Sequence, residues 1–320
     1  SQMPMKLAEA VGALQLPPVA IIFAILLCYI VLSSVMDELA MIIYTSGSTG
    51  TSKGVMCRFD AFTRAAEGFQ RFTRERVKSA DEGRVMSYLP LAHSMERSCI
   101  EGATLVDGNT RVYFAESLDT FVQDLQRARP TLFLSVPRLW LKFQQGVFAK
   151  MAPAKLDRLL SIPIVGGIVR RKVLKGLGLD SVIAAFSGSA PLPPELIRWY
   201  RRLGLQLLEG YGMTEDNSLS HCADERFSEP GCVGVPLPGV QVRISPEGEV
   251  LIKSPGQCGG YYKQPELSAA SFTEDGFFRT GDLGERRADG LLKITGRAKE
   301  LFKTTKGKYV APAPIENRLL

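Results

Sequence analysis

The sequence predicts an α/β fold, with a parallel sheet covered by helices and a small antiparallel β subdomain after it. Three observations carry that expectation. Short apolar, β-branched runs alternate with helical periodicities from Leu39 to Leu208, which is how a parallel sheet with both faces covered reads. After Gly231 the helical spacing fades, and short strands bounded by Gly and Pro take over. With 320 residues the chain can bury a large core and is expected to make two units rather than one.

The elements follow in order. Leu39-Ala40-Met41-Ile42-Ile43 has the length and β-branched content of a buried strand. Phe59, Phe62, Ala66, Phe69 and Phe72 fall on one helical face, so Phe59 to Arg76 is expected as a helix, with Asp60 near its start. Val85 to Leu89 and Thr110 to Phe114 read as strands, Phe121 to Arg127 as a helix, and Thr131 to Val136 as a strand stopped by Pro137. Leu139 to Lys150 is helical, and Lys155 to Leu177 is a basic helical hairpin broken at Pro163 and Gly166-Gly167. Ser181 to Phe186 is a strand, Pro194 to Leu203 a helix and Gln206 to Leu208 a strand. The small subdomain is expected from Val240 to Ile244, Glu249 to Lys253, Phe277 to Thr280 and Leu291 to Thr295.

Residues 11–36 carry no charge, and Pro18 to Val35 is strongly apolar. A membrane helix needs about 20 such residues. Two readings stand: a membrane anchor or surface helix, and a buried segment. The change of texture along the chain divides it into an apolar N-terminal segment at 1–36, an α/β unit at 37–230, a β unit at 231–296 and a C-terminal stretch at 297–320.

Net charge is +6, but the basic residues are scattered. Arg170-Arg171-Lys172 and the run from Lys303 to Lys308 have no interleaved aromatics, which argues against nucleic acid as a partner. The six cysteines form no Cys-x-x-Cys pair and there are only two histidines, which argues against a zinc site. Their wide spacing favours free thiols in a reducing compartment, hence a cytoplasmic location with or without attachment to a membrane.

The chemistry centres on Tyr44 to Gly54, Tyr-Thr-Ser-Gly-Ser-Thr-Gly-Thr-Ser-Lys-Gly. Glycines bring backbone N–H groups close to a ligand, and with hydroxyls they form a concave anion site to which Lys53 adds a point charge. The bare reading is a loop that holds phosphate oxygens; the alternative is a flexible linker. It is not the P-loop of the common NTPases, because Ser52 stands five positions after Gly47 and Gly54 follows Lys53.

The string resembles the phosphate loop of the acyl-adenylate-forming superfamily, and five further stretches fit that family in its order. They are Tyr88-Leu89-Pro90-Leu91-Ala92-His93-Ser94, Ser187-Gly188-Ser189-Ala190-Pro191-Leu192, Glu209-Gly210-Tyr211-Gly212-Met213-Thr214-Glu215, Arg279-Thr280-Gly281-Asp282-Leu283, and Ile294-Thr295-Gly296-Arg297-Ala298-Lys299-Glu300-Leu301-Phe302-Lys303. The resemblance implies that Thr45, Ser46, Gly47, Ser48, Thr49, Gly50 and Lys53 hold the ATP phosphates. It implies that His93 borders the acyl carboxylate and that Gly188, Ser189, Ala190 and Pro191 lie against adenine. Tyr211, followed by Gly212, would stack on the base, Thr214 would bond near the α-phosphate, and Glu215 would ligate Mg²⁺. Asp282 and Arg297 would hold the ribose, a hinge would lie at Lys299 and Glu300, and Lys303 would serve the thioester stage. On the residues alone, His93 as a structural histidine and Asp282 as a turn aspartate remain open.

Gly260-Tyr261-Tyr262-Lys263-Gln264-Pro265-Glu266, Val136-Pro137-Arg138-Leu139-Trp140 and Tyr309 to Glu316 look most like long-chain fatty acyl-CoA synthetases. That implies ATP, Mg²⁺ and coenzyme A, and a fatty acid activated first to acyl-adenylate and then to acyl-CoA. Two alternatives are the adenylation part of a carboxylic acid reductase or carrier-protein loading enzyme, and a non-catalytic nucleotide-binding remnant. Family enzymes carry a large subdomain before the phosphate loop and a full C-terminal domain. The chain therefore reads as a truncated acyl-adenylate-forming N-terminal domain: a fragment, a degraded relative, or half of a larger assembly whose missing domains another chain supplies.

Overall fold

The computed structural model describes residues 39–46, 52–75, 82–224, 229–298, 302–303 and 309–310. Strands β1 (Leu39–Ser46) and β2 (Ser52–Arg58) pair antiparallel, with Thr45 opposite Lys53 and Ser46 opposite Ser52. The glycine-and-hydroxyl string thus joins the arms of a hairpin, and its two ends are strand. β1 is not the fully buried strand its composition suggests. Ile43 is buried while Tyr44 is exposed, because β1 packs one face only. The partner strand was hidden by its Gly and Ser content, yet Val55 and Cys57 alternate into the interior.

Helix α1 (Phe59–Arg74) follows without a break. Its inward face is Ala61, Ala65, Ala66, Phe69 and Thr73, rotated from the phenylalanine stripe that the spacing suggests, and Phe59 stays exposed. Small alanines let the helix approach closely, and the Thr73 hydroxyl donates back to the Phe69 carbonyl at 3.0 Å.

Strands β3 (Gly83–Ser87) and β4 (Thr110–Phe114) are parallel neighbours. Between them run a π-helical turn, Glu96–Gly102, and α2 (Ala103–Asp107). β5 (Leu132–Ser135), β6 (Ala184–Ser187) and β7 (Leu207–Tyr211) are also parallel. The Thr131 N–H donates to the Arg84 carbonyl at 2.9 Å, and the Arg84 N–H donates to the Thr131 hydroxyl at 2.9 Å. These bonds stitch β3 to β5, so the parallel strands run in the order β4-β3-β5-β6-β7. β8 (His221–Cys222) and β9 (Val235–Pro236) extend the sheet antiparallel.

Alternation along these strands explains the two cores. Phe133, Ala185 and Leu207 face helices α3 (Phe121–Ala128), α4 (Pro137–Lys150), α5 (Pro153–Ser161), α6 (Val165–Leu177) and α7 (Pro194–Arg202). Leu132, Leu134, Ala184, Phe186 and Leu208 belong to the opposite cluster, with Phe69 of α1 and Ile100 of the π-turn. Proline opens α4 and α7 at their first positions, where its missing N–H costs nothing.

The second sheet is antiparallel, in the order β10 (Gln241–Ile244), β11 (Glu249–Lys253), β12 (Phe278–Arg286) and β13 (Leu292–Arg297), with α8 (Pro265–Ala270) between β11 and β12. β12 extends through Arg279 to Leu283, so Asp282 sits on a strand, opposite Arg297 of β13. The Val233 N–H donates to the Leu292 carbonyl at 2.9 Å, and the Leu292 N–H donates to that of Gly234 at 2.9 Å, tying this sheet to the chain that leaves β8. β14 (Phe302–Lys303) and β15 (Tyr309–Val310) make a short ribbon.

Cys57, Cys99, Cys222, Cys232 and Cys258 are buried. Among the described residues no helix is long and apolar enough to cross a membrane. The apolar segment 11–36 and the hinge at Lys299 and Glu300 lie outside the described residues.

Candidate functional site

Open α/β sheets leave a crevice beyond the carboxyl ends of their strands. Here β6 ends at Ser187 and β7 at Tyr211, and a cleft of 890 Å³ opens beyond them. It also receives Thr45 and Lys53 from the β1–β2 hairpin, His93 from the turn after β3, and Asp282 and Arg297 from the second sheet.

The phosphate-loop residues arrive in part. Thr45 and Lys53 line the cleft. Ser46 is placed by its backbone, opposite Ser52. Gly47, Ser48, Thr49 and Gly50 lie outside the described residues. Lys53 Nζ stands 5.1 Å from the centroid of the Tyr261 ring, a cation–π contact.

Glu215 lies on the 3-10 turn Thr214–Asp216. Its Oε1 accepts a hydrogen bond from the Tyr261 hydroxyl at 2.8 Å, and its backbone carbonyl accepts the Cys258 N–H at 2.7 Å. The Thr214 hydroxyl lies 3.5 Å from Ser94 Oγ, which lies 2.9 Å from Ser218 Oγ. The turn is anchored beneath by Asp216, whose Oδ1 accepts the Met213 N–H at 2.9 Å. Burial pushes the Asp216 carboxyl up to about 7, since the charged form loses more hydration than the backbone N–H groups of Met213, Ser218 and Leu219 restore.

Tyr211 and Gly188 both line the crevice. A Cβ at Gly188 would stand 3.2 Å from Met95 Sδ, so a side chain there would have to shift that methionine. Gly212 is tighter: a Cβ would lie 2.8 Å from Ser218 Cα. Ser189 adopts φ +71°, a left-handed conformation that costs a non-glycine residue about 1 kcal/mol or more. Its hydroxyl lies 3.3 Å from His93 Nε2, while His93 Nδ1 accepts the Met95 N–H at 3.3 Å. Nδ1 therefore carries the lone pair and Nε2 the proton. Burial holds the His93 pKa below its usual value, so the ring is neutral at pH 7. Ala190 and Pro191 are exposed and form no part of the cleft wall.

Asp282 is buried and doubly held. Oδ2 accepts the Tyr211 hydroxyl at 2.6 Å, and Oδ1 lies 3.1 Å from Arg297 Nε. Burial and the Asp282 charge together keep the Tyr211 phenol protonated, with its pKa well above the ordinary value. The Asp282 N–H donates to Thr280 Oγ1 at 3.0 Å.

Of Lys303 the structure describes only the backbone, which pairs with Tyr309 across the β14–β15 ribbon.

A model of the AMP-binding enzyme family matches residues 30–262. The chain belongs to that family. It is 32% identical over 311 residues to long-chain-fatty-acid–CoA ligase 1 of Homo sapiens, covering 88% of this chain and 44% of the relative. It is 32% identical over 305 residues to a long-chain-fatty-acid–CoA ligase of Mycobacterium bovis, covering 88% of this chain and 50% of the relative. Among solved structures it is similar to ATP-bound MatB from Rhodopseudomonas palustris, with a TM-score of 0.67 at 30% identity, over 88% of this chain and 52% of that one. It is similar too to the adenylation domain of a carboxylate reductase from Mycobacterium chelonae, with a TM-score of 0.67 at 29% identity, over 88% of this chain and 44% of that one. The chain thus spans about half the length of the curated relatives it matches.

Within this AMP-binding fold, several cleft residues escaped the sequence reading. Tyr261 is the most consequential: its segment was noted for likeness, but nothing in the string says that its hydroxyl reaches Glu215. Ser94 and Ser218 bond across the floor of the cleft from distant elements. A further stretch of wall is apolar, formed by Phe69, Met95, Cys99, Leu134 and Phe186. Their aliphatic, aromatic and sulfur side chains read from sequence as core, which all five also are.

Proposed function

We propose that this chain is the nucleotide-binding part of an ATP-dependent ligase that activates a long-chain fatty acid as acyl-adenylate and passes the acyl group to coenzyme A. The observation that carries the reading is the shared cleft. A lysine and a threonine from a hairpin, a carboxylate on a tight turn, a tyrosine joined to an aspartate, and a histidine beside a left-handed serine all border one space. In this reading Thr45 and Lys53 hold the phosphate tail, Tyr211 and Gly188 flank adenine, and Asp282 with Arg297 takes the ribose hydroxyls. A fatty carboxylate oxygen attacks the α-phosphorus near Thr214 and His93, the bond to the β-phosphate oxygen breaks, and pyrophosphate leaves. The coenzyme A sulfur then attacks the acyl carbon and AMP departs, with Lys303 serving that stage. The apolar wall at Phe69, Cys99 and Phe186 suits a hydrocarbon substrate better than a polar acid.

The donor chemistry fits Mg²⁺. One carboxylate with phosphate oxygens and water is an ordinary octahedral set for this cation, and Tyr261 engages only Oε1 of Glu215. Bound Mg²⁺ would supply neutralisation of phosphate charge; positioning of the reacting groups falls to the chain.

The same reading divides the chain into an α/β nucleotide-binding unit up to residue 230, a β unit from 231 to 296, and a hinge beyond it. The change from a mixed to a wholly antiparallel sheet near that point supports the division. Likeness to a carboxylate reductase adenylation domain favours one alternative acceptor, a carrier-protein thiol.

The test is pyrophosphate release on mixing the chain with Mg-ATP and palmitate, alongside binding of labelled ATP. Binding with palmitate-dependent release is expected. No ATP binding overturns the reading; adenylate formation that discharges only to a carrier protein favours the alternative acceptor.

A further inference from the structure

The carboxylate read as the metal ligand is not held by its own turn alone. The segment from Cys258 to Tyr262 runs between the Glu215 turn and the β1–β2 hairpin and bonds to both. On one side the Cys258 N–H donates to the Glu215 carbonyl at 2.7 Å. On the other, the Gly259 N–H donates to the Met56 carbonyl at 2.9 Å, the Met56 N–H to the Gly260 carbonyl at 2.9 Å, and the Tyr262 N–H to the Gly54 carbonyl at 2.8 Å. The segment is in effect a third strand beside β2, with Val55 bridging Tyr261. Ser268 of α8 fixes it further, its hydroxyl accepting the Tyr261 N–H at 2.9 Å.

Tyr261 therefore has little freedom. It is buried, its hydroxyl donates to Glu215 Oε1 at 2.8 Å, and its ring lies under Lys53 Nζ at 5.1 Å. A single side chain contacts both the residue read as phosphate-binding and the residue read as metal-binding. An oxygen that accepts a fixed phenol bond cannot swing freely, so the other carboxylate oxygen keeps one direction. Outer hydrogen bonds of this kind orient metal ligands generally.

We propose that Tyr261 is the positioning residue of the magnesium–triphosphate site, its hydroxyl setting the Glu215 carboxylate for the cation and its ring face setting the Lys53 ammonium for the phosphates. The proposal rests on reading the cleft as an Mg-ATP site. It goes further, because it assigns two separable tasks to two parts of one side chain.

The experiment is calorimetric ATP binding by the full chain, in EDTA and across a Mg²⁺ titration, for wild type, Tyr261→Phe and Tyr261→Leu, with thermal melts of each. Tyr261→Phe keeps the ring and loses the hydroxyl. It is expected to raise the Mg²⁺ concentration for half-maximal enhancement of ATP binding on the order of 10-fold, with the ring's contribution to ATP binding in EDTA kept. Tyr261→Leu is expected to raise that midpoint equally and also to weaken binding in EDTA. A wild-type Mg²⁺ midpoint in Tyr261→Phe overturns the proposal. So does a loss in Tyr261→Phe that is equal with and without Mg²⁺, which would mark a purely structural tyrosine. Absence of ATP binding by wild type at any Mg²⁺ concentration is a different result: it removes the nucleotide reading itself.

Discussion

Tyr211 and Asp282 lie 71 positions apart and share a hydrogen bond of 2.6 Å, the phenol donating to the carboxylate. The bond ties the end of a parallel strand to the second, antiparallel sheet. It also leaves one wall of the cleft presenting an aromatic face beside a charged acceptor. Arg297 meets the other carboxylate oxygen at 3.1 Å, so the aspartate is held from both sides before any ligand enters.

That arrangement predicts a specific loss. Asp282→Ala should weaken ATP binding by about 10-fold or more, as expected for a lost hydrogen bond to a charged group. The loss should largely vanish when 2′,3′-dideoxy-ATP is the ligand, because the variant then has no ribose contact left to lose. Calorimetry on the four combinations gives the coupling directly. If the variant weakens ATP and dideoxy-ATP equally, Asp282 does not contact the ribose.

Lys53 gives a complementary prediction at the other end of the nucleotide. Its place opposite Thr45 in the hairpin and over the Tyr261 ring puts its charge among the residues read as holding the phosphate tail. Lys53→Ala should reduce ATP affinity by about 10-fold while leaving AMP affinity within about 2-fold, since AMP lacks the β- and γ-phosphates. The ATP deficit should shrink as salt rises. Equal losses for ATP and AMP would move Lys53 away from the tail.

Gly212 is a test of packing rather than of charge. An added Cβ would stand 2.8, 2.9 and 3.0 Å from Ser218 Cα, C and O. Those are backbone atoms, and the Ser218 N–H is held by the Met213 carbonyl at 2.9 Å. The neighbour cannot yield as a side-chain tip would. Gly212→Ala should destabilise the chain by about 1–3 kcal/mol, the range for overpacking, read as a lower denaturant midpoint. Gly204→Ser serves as the comparison: nothing lies within 4 Å of a Cβ there, though its φ of +86° adds strain. Equal stability of Gly212→Ala and wild type would mean that the turn holding Ser218 shifts without cost.

How far these features could be read from the chain depends on whether their determinants are contiguous. Tyr211, Thr214 and Glu215 stand in one short string, as do Thr280 and Asp282, so the family likeness of contiguous strings brought them forward. The alternation of strands and helices gave the parallel sheet for the same local reason. The β1–β2 hairpin was not visible, because Ser52 to Gly54 reads as loop until its register with β1 is known. The inward face of α1 was misread because close packing favoured Ala61 and Ala65 over Phe59 and Phe62. The bond from Tyr261 to Glu215 spans 46 positions and that between Ser94 and Ser218 spans 124. Only tertiary packing sets such pairs.

The last prediction concerns pH and a carboxylate outside the cleft wall. Glu209 is buried on β7, where Oε1 accepts the Leu192 N–H at 3.4 Å and Oε2 accepts the Gly231 N–H at 2.9 Å. Burial pushes its carboxyl up from 4.5 to about 7, more than the two backbone N–H groups and Arg201 pull it down. The folded chain therefore binds this proton more tightly than the unfolded chain does. Its contribution to stability is complete below pH 4.5 and is lost as pH rises toward about 7. The full change is about 3 kcal/mol. Glu209→Gln cannot ionise, so its stability should not follow that decline. Urea unfolding of both proteins at pH 5, 6, 7 and 8 should show the wild type losing ground to the variant across that window and running parallel to it above. Curves parallel throughout would mean that Glu209 stays ionised in the fold, with its two N–H partners and Arg201 outweighing its burial.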